Sequence, residues 1–141
     1  RGLGELTGLQ ELEFGVEFNE QLEDLSNFHS LTILKFGKKF NANVNNKLPK
    51  NLIHLKFGDA FENGGQPLDL QNLCNLKSAF FGESFNQDIS NTFCSAEKNE
   101  LDTLRFGSGF DNGGNSENLK TFLDNRPKLL FSLGDIEVHR S

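Results

Sequence analysis

Three histidines, two cysteines and one oxygen-rich loop are the residues whose types suit chemistry in this 141-residue chain. Histidine titrates near neutrality and serves as general base or metal ligand. His29, His54 and His139 lie far apart, with no Cys, Ser or carboxylate placed beside them in a known catalytic spacing. A solvated surface His is the plainer reading of each. The segment Asp111-Asn112-Gly113-Gly114-Asn115-Ser116-Glu117 supplies oxygen donors in a turn. It lacks the alternating acids and distal Glu of an EF-hand, and a plain turn is the simpler account. No catalytic, cofactor or metal residue is therefore assigned, and no enzyme activity is expected.

Cys74 and Cys94 are too few for a disulfide framework. Their separation is compatible with a bridge. Buried free thiols are the plainer reading, and they point to a reducing, cytoplasmic setting.

The elements that must position these residues come from a repeat. Leu-x-x-Leu-x-Phe-Gly-x-x-Phe is written five times, with Ala79 replacing one Leu. The copies start at Leu9, Leu31, Leu52, Leu76 and Leu101, and their glycines are Gly15, Gly37, Gly58, Gly82 and Gly107. The glycines follow one another at 22, 21, 24 and 25 residues. A unit this short cannot bury its apolar face alone, so the period predicts a solenoid of stacked coils.

Each coil has room for one short strand. Leu12-Glu13-Phe14, Leu34-Lys35-Phe36, Leu55-Lys56-Phe57 and Leu104-Arg105-Phe106 alternate apolar, charged, apolar. That alternation turns Leu and Phe inward and the charge outward. Stacked strands then form a curved parallel sheet, with five strands about 20 Å across at the usual spacing. The Gly supplies the bend, through unusual backbone angles or close approach of coils. The second Phe returns inward, giving two Phe columns that hold ten of the fifteen Phe. Asn follows that Phe as Asn19, Asn41 and Asn86, and one residue later as Asn63 and Asn112, ready to satisfy backbone groups of an adjacent coil.

The rest of each coil is irregular, so turns or 3-10 segments are expected on the outer side. Helices are expected at 91–100 and 116–125, the second with a Ser cap and Pro127 beyond it. A single solenoid domain follows, with repeats near 9–30, 31–51, 52–75, 76–100 and 101–125. A degenerate sixth repeat at 129–134 lies within a cap at 126–141.

Outward residues carry the functional reading. One column reads Glu13, Lys35, Lys56, Phe80, Arg105, and its neighbour Glu11, Ile33, His54, Ser78, Thr103. Lys35, His54, Lys56, Phe80 and Arg105 are the candidate partner-binding residues. A basic stripe on a chain of net charge −6 suits an acidic partner, against the plainer reading of a solvated face. Phe80 either stands outward between Lys56 and Arg105, or slips by one residue into the space left by Ala79. The acidic balance argues against nucleic acid or an anionic membrane, and no apolar run is long enough for a membrane span.

The motif resembles the FNIP repeat family, whose pattern is Leu-x-x-Leu-x-Phe-Gly-x-x-Phe-Asn-x-x-Ile/Leu, often preceded by Leu-Pro-x-x-Leu. Leu48-Pro49-Lys50-Asn51-Leu52 leads into Ile53-His54-Leu55-Lys56-Phe57-Gly58, and Phe85-Asn86-Gln87-Asp88-Ile89 matches the motif's end. The resemblance covers about residues 9–110. It implies a leucine-rich-repeat-like solenoid of a kind common in social amoebae and in giant viruses that infect amoebae. Members often carry an F-box, which implies substrate recruitment to a ubiquitin ligase where such a module accompanies the repeats. The expected function is a non-catalytic protein-interaction module, with a structural part in a viral or cell-surface assembly as the alternative.

Overall fold

The computed structural model describes Leu6 and residues 8–138, so His139 lies outside the described residues. Each repeat contributes one short strand. These are β1 (Glu11–Glu13), β2 (Ile33–Lys35), β3 (His54–Lys56), β4 (Ser78–Phe80) and β5 (Thr103–Phe106). After the helix α1 (Ser116–Asp124) come β6 (Leu130–Leu133) and β7 (Ile136–Glu137). The seven strands form one sheet in chain order. The first six run parallel, with Leu12, Leu34, Leu55, Ala79, Leu104 and Phe131 side by side. The degenerate repeat at 129–134 is thus a true sixth coil, with Phe131 in the Leu position. β7 folds back antiparallel on β6 through Gly134, whose φ of 59° suits a tight hairpin turn. The result is a leucine-rich-repeat-like solenoid, a curved and mainly parallel sheet with little helix.

Both Phe columns are present. Phe14, Phe36, Phe57, Phe81 and Phe106 stack at centroid separations of 5.1, 5.2, 5.4 and 5.0 Å. Phe18, Phe40, Phe61, Phe85 and Phe110 follow at 5.7, 6.0, 6.2 and 6.4 Å. Within a coil the two rings touch, as Phe57 and Phe61 do at 3.7 Å. Offset stacking of this kind adds about 0.5–1.5 kcal/mol per pair beyond the burial itself.

The bend glycine acts through close approach rather than through unusual angles. None of the five has positive φ, yet a Cβ on Gly58 would sit 2.4 Å from the Gly37 carbonyl oxygen. Any side chain there would force adjacent coils apart.

The asparagines divide into two kinds, which corrects the reading of one motif displaced by a residue. Asn19 accepts from the Asn41 N–H, Asn41 from those of Glu62 and Gly64, and Asn86 from those of Asp111 and Gly113. Glu62 and Asp111 therefore occupy this ladder position in their coils. Asn63 and Asn112 are inserted residues that reach back to the preceding coil. Each is fully buried, and their side-chain oxygens accept from Val44 N–H and Ile89 N–H, both at 2.8 Å. Asn63, Gly64 and Gly65 have φ of 58, 61 and 84°, and Asn112, Gly113 and Gly114 have 62, 62 and 85°. Three successive left-handed residues require the Asn-Gly-Gly sequence, because Gly and Asn tolerate that region best.

Three expectations for the outer side change. Residues 91–100 form turns rather than a helix, because the chain there is spent on a disulfide and on hydrogen bonds to Ser95 and Ala96 carbonyls. Helix α1 is capped by Asn115 rather than Ser116, without a side-chain cap bond. Cys74 and Cys94 are not free thiols: they are bonded at 2.06 Å with Cα atoms 5.1 Å apart. Coil stacking brings these neighbours into register, an effect that cysteine count alone does not convey. With the thiols paired, the argument for a reducing compartment is gone. No helix among the described residues is long and apolar enough to cross a membrane.

A candidate protein-interaction face

Alternation along each three-residue strand decides what the sheet presents. Leu34, Leu55, Ala79 and Leu104 are buried beneath it, which leaves Lys35, Lys56, Phe80 and Arg105 above. Register fixes their order: Glu13 beside Lys35, Lys35 beside Lys56, Lys56 beside Phe80 and Phe80 beside Arg105. Phe80 is in the outward slot. Ala79 is wholly buried in the Leu position, so the alternative of a slipped strand is excluded. The Arg105 guanidinium carbon lies 5.7 Å from the Phe80 ring centroid, a cation–π contact of about 0.5–1 kcal/mol at an exposed site.

The second column places His54 beside Ile33 and Ser78. His54 Nδ1 lies 2.7 Å from Ser78 Oγ. No carboxylate approaches that pair within bonding distance among the described residues, so it shares a proton without a third group to orient it.

Two shallow grooves meet along the Lys35–Lys56–Phe80 line. One, of about 440 Å³, is bounded by Ile33, Lys35, His54, Lys56, Ser78 and Phe80. The other, of about 570 Å³, runs toward the bends past Lys35, Lys56, Phe80, Arg105, Asp59 and Glu83. All five sequence-predicted residues therefore border one continuous surface. The bend row is mixed in charge: Lys38 follows Gly37, Asp59 and Glu83 follow Gly58 and Gly82, and Asp135 follows Gly134.

Charges on this face differ in how they are used. Lys35 approaches Glu11 at 4.0 Å, and Lys39 binds Glu17 at 2.8 Å. Lys56 and Arg105, both exposed, have no ion pair among the described residues. In the oxygen-rich loop, Asp111 accepts from Gly114 N–H and from Asn86, so its carboxylate serves the turn. No cluster of three potential metal ligands occurs among the described residues.

Residues 29–60, which contain β2 and β3, match the FNIP Repeat family model. Those residues hold the first two complete Leu-x-Phe-Gly bends whose rings lie inside the stack. Residues 29–60 thus carry an FNIP repeat within a leucine-rich-repeat-like solenoid. Among solved structures, the solenoid is similar to CroV588, whose crystal structure is described as a novel circular LRR protein structure. The two agree with a TM-score of 0.52 and 27% identity over 89% of this chain and 20% of that one. The chain thus spans about a fifth of that protein's length. No curated protein matches the chain. FNIP repeats and leucine-rich-repeat-like folds are typically non-enzymatic scaffolds for protein interaction.

Proposed function

We propose that this solenoid is a non-catalytic recognition module whose sheet face binds an acidic protein segment carrying one apolar side chain. The observation that carries this is Phe80 held outward between Lys56 and Arg105, with both cations free of carboxylate partners among the described residues. A half-exposed aromatic flanked by cations is the type of residue on which binding energy concentrates. Lys35, Lys56 and Arg105 attract the acid, Phe80 receives the apolar group, and His54 borders the far side. Asp59 and Glu83 favour a basic residue on the bend side, which gives the bound segment a direction. Such a face fits the substrate-recognition part of an adaptor, a ubiquitin-ligase adaptor included if an F-box accompanies the repeats.

Peptide selection from a random displayed library tests this reading. Recovered peptides are expected to be rich in Asp and Glu around one aromatic or aliphatic residue. Phe80→Ala with Lys56→Glu is expected to weaken them at least tenfold while the far-ultraviolet spectrum stays unchanged. Peptides without acidic bias, or equal binding by the double variant, contradict it.

A second reading, a structural part of a larger viral or cell-surface assembly, is favoured by one observation. The Cys74–Cys94 disulfide is of the kind that persists in oxidising surroundings. Concentration-dependent assembly in sedimentation supports it, and a monomer at all concentrations opposes it.

A further inference from the structure

The dipeptide Asn-Gly occurs twice in the chain, as Asn63-Gly64 and Asn112-Gly113. It is the pair in which asparagine most readily loses its side-chain amide, because a following residue without a side chain leaves its backbone nitrogen unhindered. A bulkier second residue slows that reaction, but this fold cannot accept one. Gly64 and Gly113 have φ of 61 and 62°, where L side chains are strained. A Cβ on Gly64 would also lie 3.3 Å from Asn43 N, and one on Gly113 3.3 Å from Asn86 O. The turns that join the coils therefore carry a chemically labile pair at two equivalent places.

In the closed coil the reacting groups are immobilised. Asn63 and Asn112 are fully buried, although the glycines after them are exposed. Asn63 Nδ2 donates to Asn45 Oδ1, Gln66 O and Pro67 O at 3.2, 3.1 and 3.2 Å, while its oxygen accepts from Val44 N–H. Asn112 Nδ2 donates to Asp88 Oδ1 at 3.3 Å and to Asn115 O at 2.9 Å. The attacking nitrogens are engaged as well: Gly64 N–H and Gly113 N–H donate to Asn41 Oδ1 and Asn86 Oδ1, each at 2.9 Å. Loss of the amide would remove the Nδ2 donors and put a buried negative charge in their place. At 63 that charge would face the Gln66 and Pro67 carbonyls, and at 112 the Asp88 carboxylate.

We propose that Asn63 and Asn112 are deamidation sites shut by the fold, which turn a prolonged opening of their coils into a permanent one. In an open coil the backbone nitrogen of the glycine bonds the Asn Cγ. The Cγ–Nδ2 bond breaks, and the glycine's proton passes through water to the departing amide, which leaves as ammonia. Water then opens the cyclic imide to aspartate or isoaspartate, and no oxidant or reductant takes part. Isoaspartate also lengthens the main chain at the turn, so the glycine N–H no longer meets its asparagine acceptor. Chains that stay open are thereby marked and kept from closing, whatever the sheet face binds.

Peptide mapping by mass spectrometry tests this, after the full chain has been incubated at mildly alkaline pH with and without enough urea to unfold it. Deamidation at both sites is expected to be at least tenfold slower in the folded chain. Asn41→Ala frees the Gly64 amide, and is expected to speed the folded chain's reaction at Asn63 at least threefold while Asn112 keeps the parent rate. Asn86→Ala is expected to do the reverse. Chains held in urea until both sites have reacted should regain less than half of the folded signal on dilution, whereas chains diluted at once should regain nearly all of it. Equal rates with and without urea overturn the proposal, as does full refolding of deamidated chains. Alanine variants that fold and leave both rates unchanged overturn it too. Should those variants fail to fold, Asn63→Asp and Asn112→Asp keep the test open: both are expected to melt below the parent, and melting at the parent's temperature contradicts the proposal.

Discussion

On the sheet side, coil after coil sets the same residue at the same height: Leu34 beside Leu55, and Phe36 on Phe57 and then Phe81. On the outer side, successive coils close by different means. Leu25 N–H binds the Lys47 carbonyl at 2.8 Å. The third and fourth coils are joined by Cys74–Cys94 and by a single bridge between Leu70 and Phe93. The last uses α1, with Phe122 against Phe93 and Arg126 donating to the Cys94 carbonyl at 2.7 Å. A sheet-side residue touches copies of itself on both sides, so one substitution disturbs two interfaces. An outer segment has only to return the chain to the next strand. Periodicity is strict where packing is shared and loose where it is not.

Substitutions that weigh the two sides against each other make this contrast measurable. The largest effect is expected from Phe57→Ala, which empties a site shared by Phe36, Phe61 and Phe81. Chemical denaturation should register a loss of about 3–5 kcal/mol. On the outer side, Cys74→Ser with Cys94→Ser opens a loop with a sequence separation of 20. The chain-entropy account gives a cost of about 3 kcal/mol, with selected peptides still bound at the sheet face. A double variant that abolishes that binding would erase the distinction between the sides.

Smaller effects sharpen the contrast. Asn112→Ala removes the acceptor of Ile89 N–H and leaves a buried donor unpaired, at about 1–3 kcal/mol. The least effect belongs to Asp88. Burial pushes its carboxyl up, but hydrogen bonds from Ser90, Asn118 and Asn112 outweigh burial and hold it below its ordinary 3.8. Its stabilisation is therefore complete above the unfolded value and is lost as pH falls through the lower folded value. Asp24, held low by Ser26, titrates in the same acid window. Melting temperature followed from pH 6 down to pH 2 should fall less steeply for Asp88→Asn than for the parent.

How far the sequence spoke follows the same division. The strands, their register, both Phe columns and the outward residues were legible because each is written five times. The position of Phe80 was open until Ala79 was seen buried in its place. The disulfide was legible only as a possibility: a separation of one coil allows it, but two cysteines that occur once each gave the free-thiol reading more weight. Asn63 and Asn112 were misread because position in the motif looked like position in space. Their left-handed backbone puts them in a role that the other asparagines do not have. Asp59 and Glu83 were not legible as part of the face, because the position after the bend glycine is Val16, Lys38 and Ser108 in the other repeats.

Amide chemical shifts of the isotopically labelled domain, followed during titration with a selected acidic peptide, test the central claim most directly. The account predicts changes centred on His54–Lys56, Ser78–Phe80 and Arg105, with Cys74, Cys94 and helix α1 unmoved. Changes centred on the outer turns, with the sheet face silent, would contradict it.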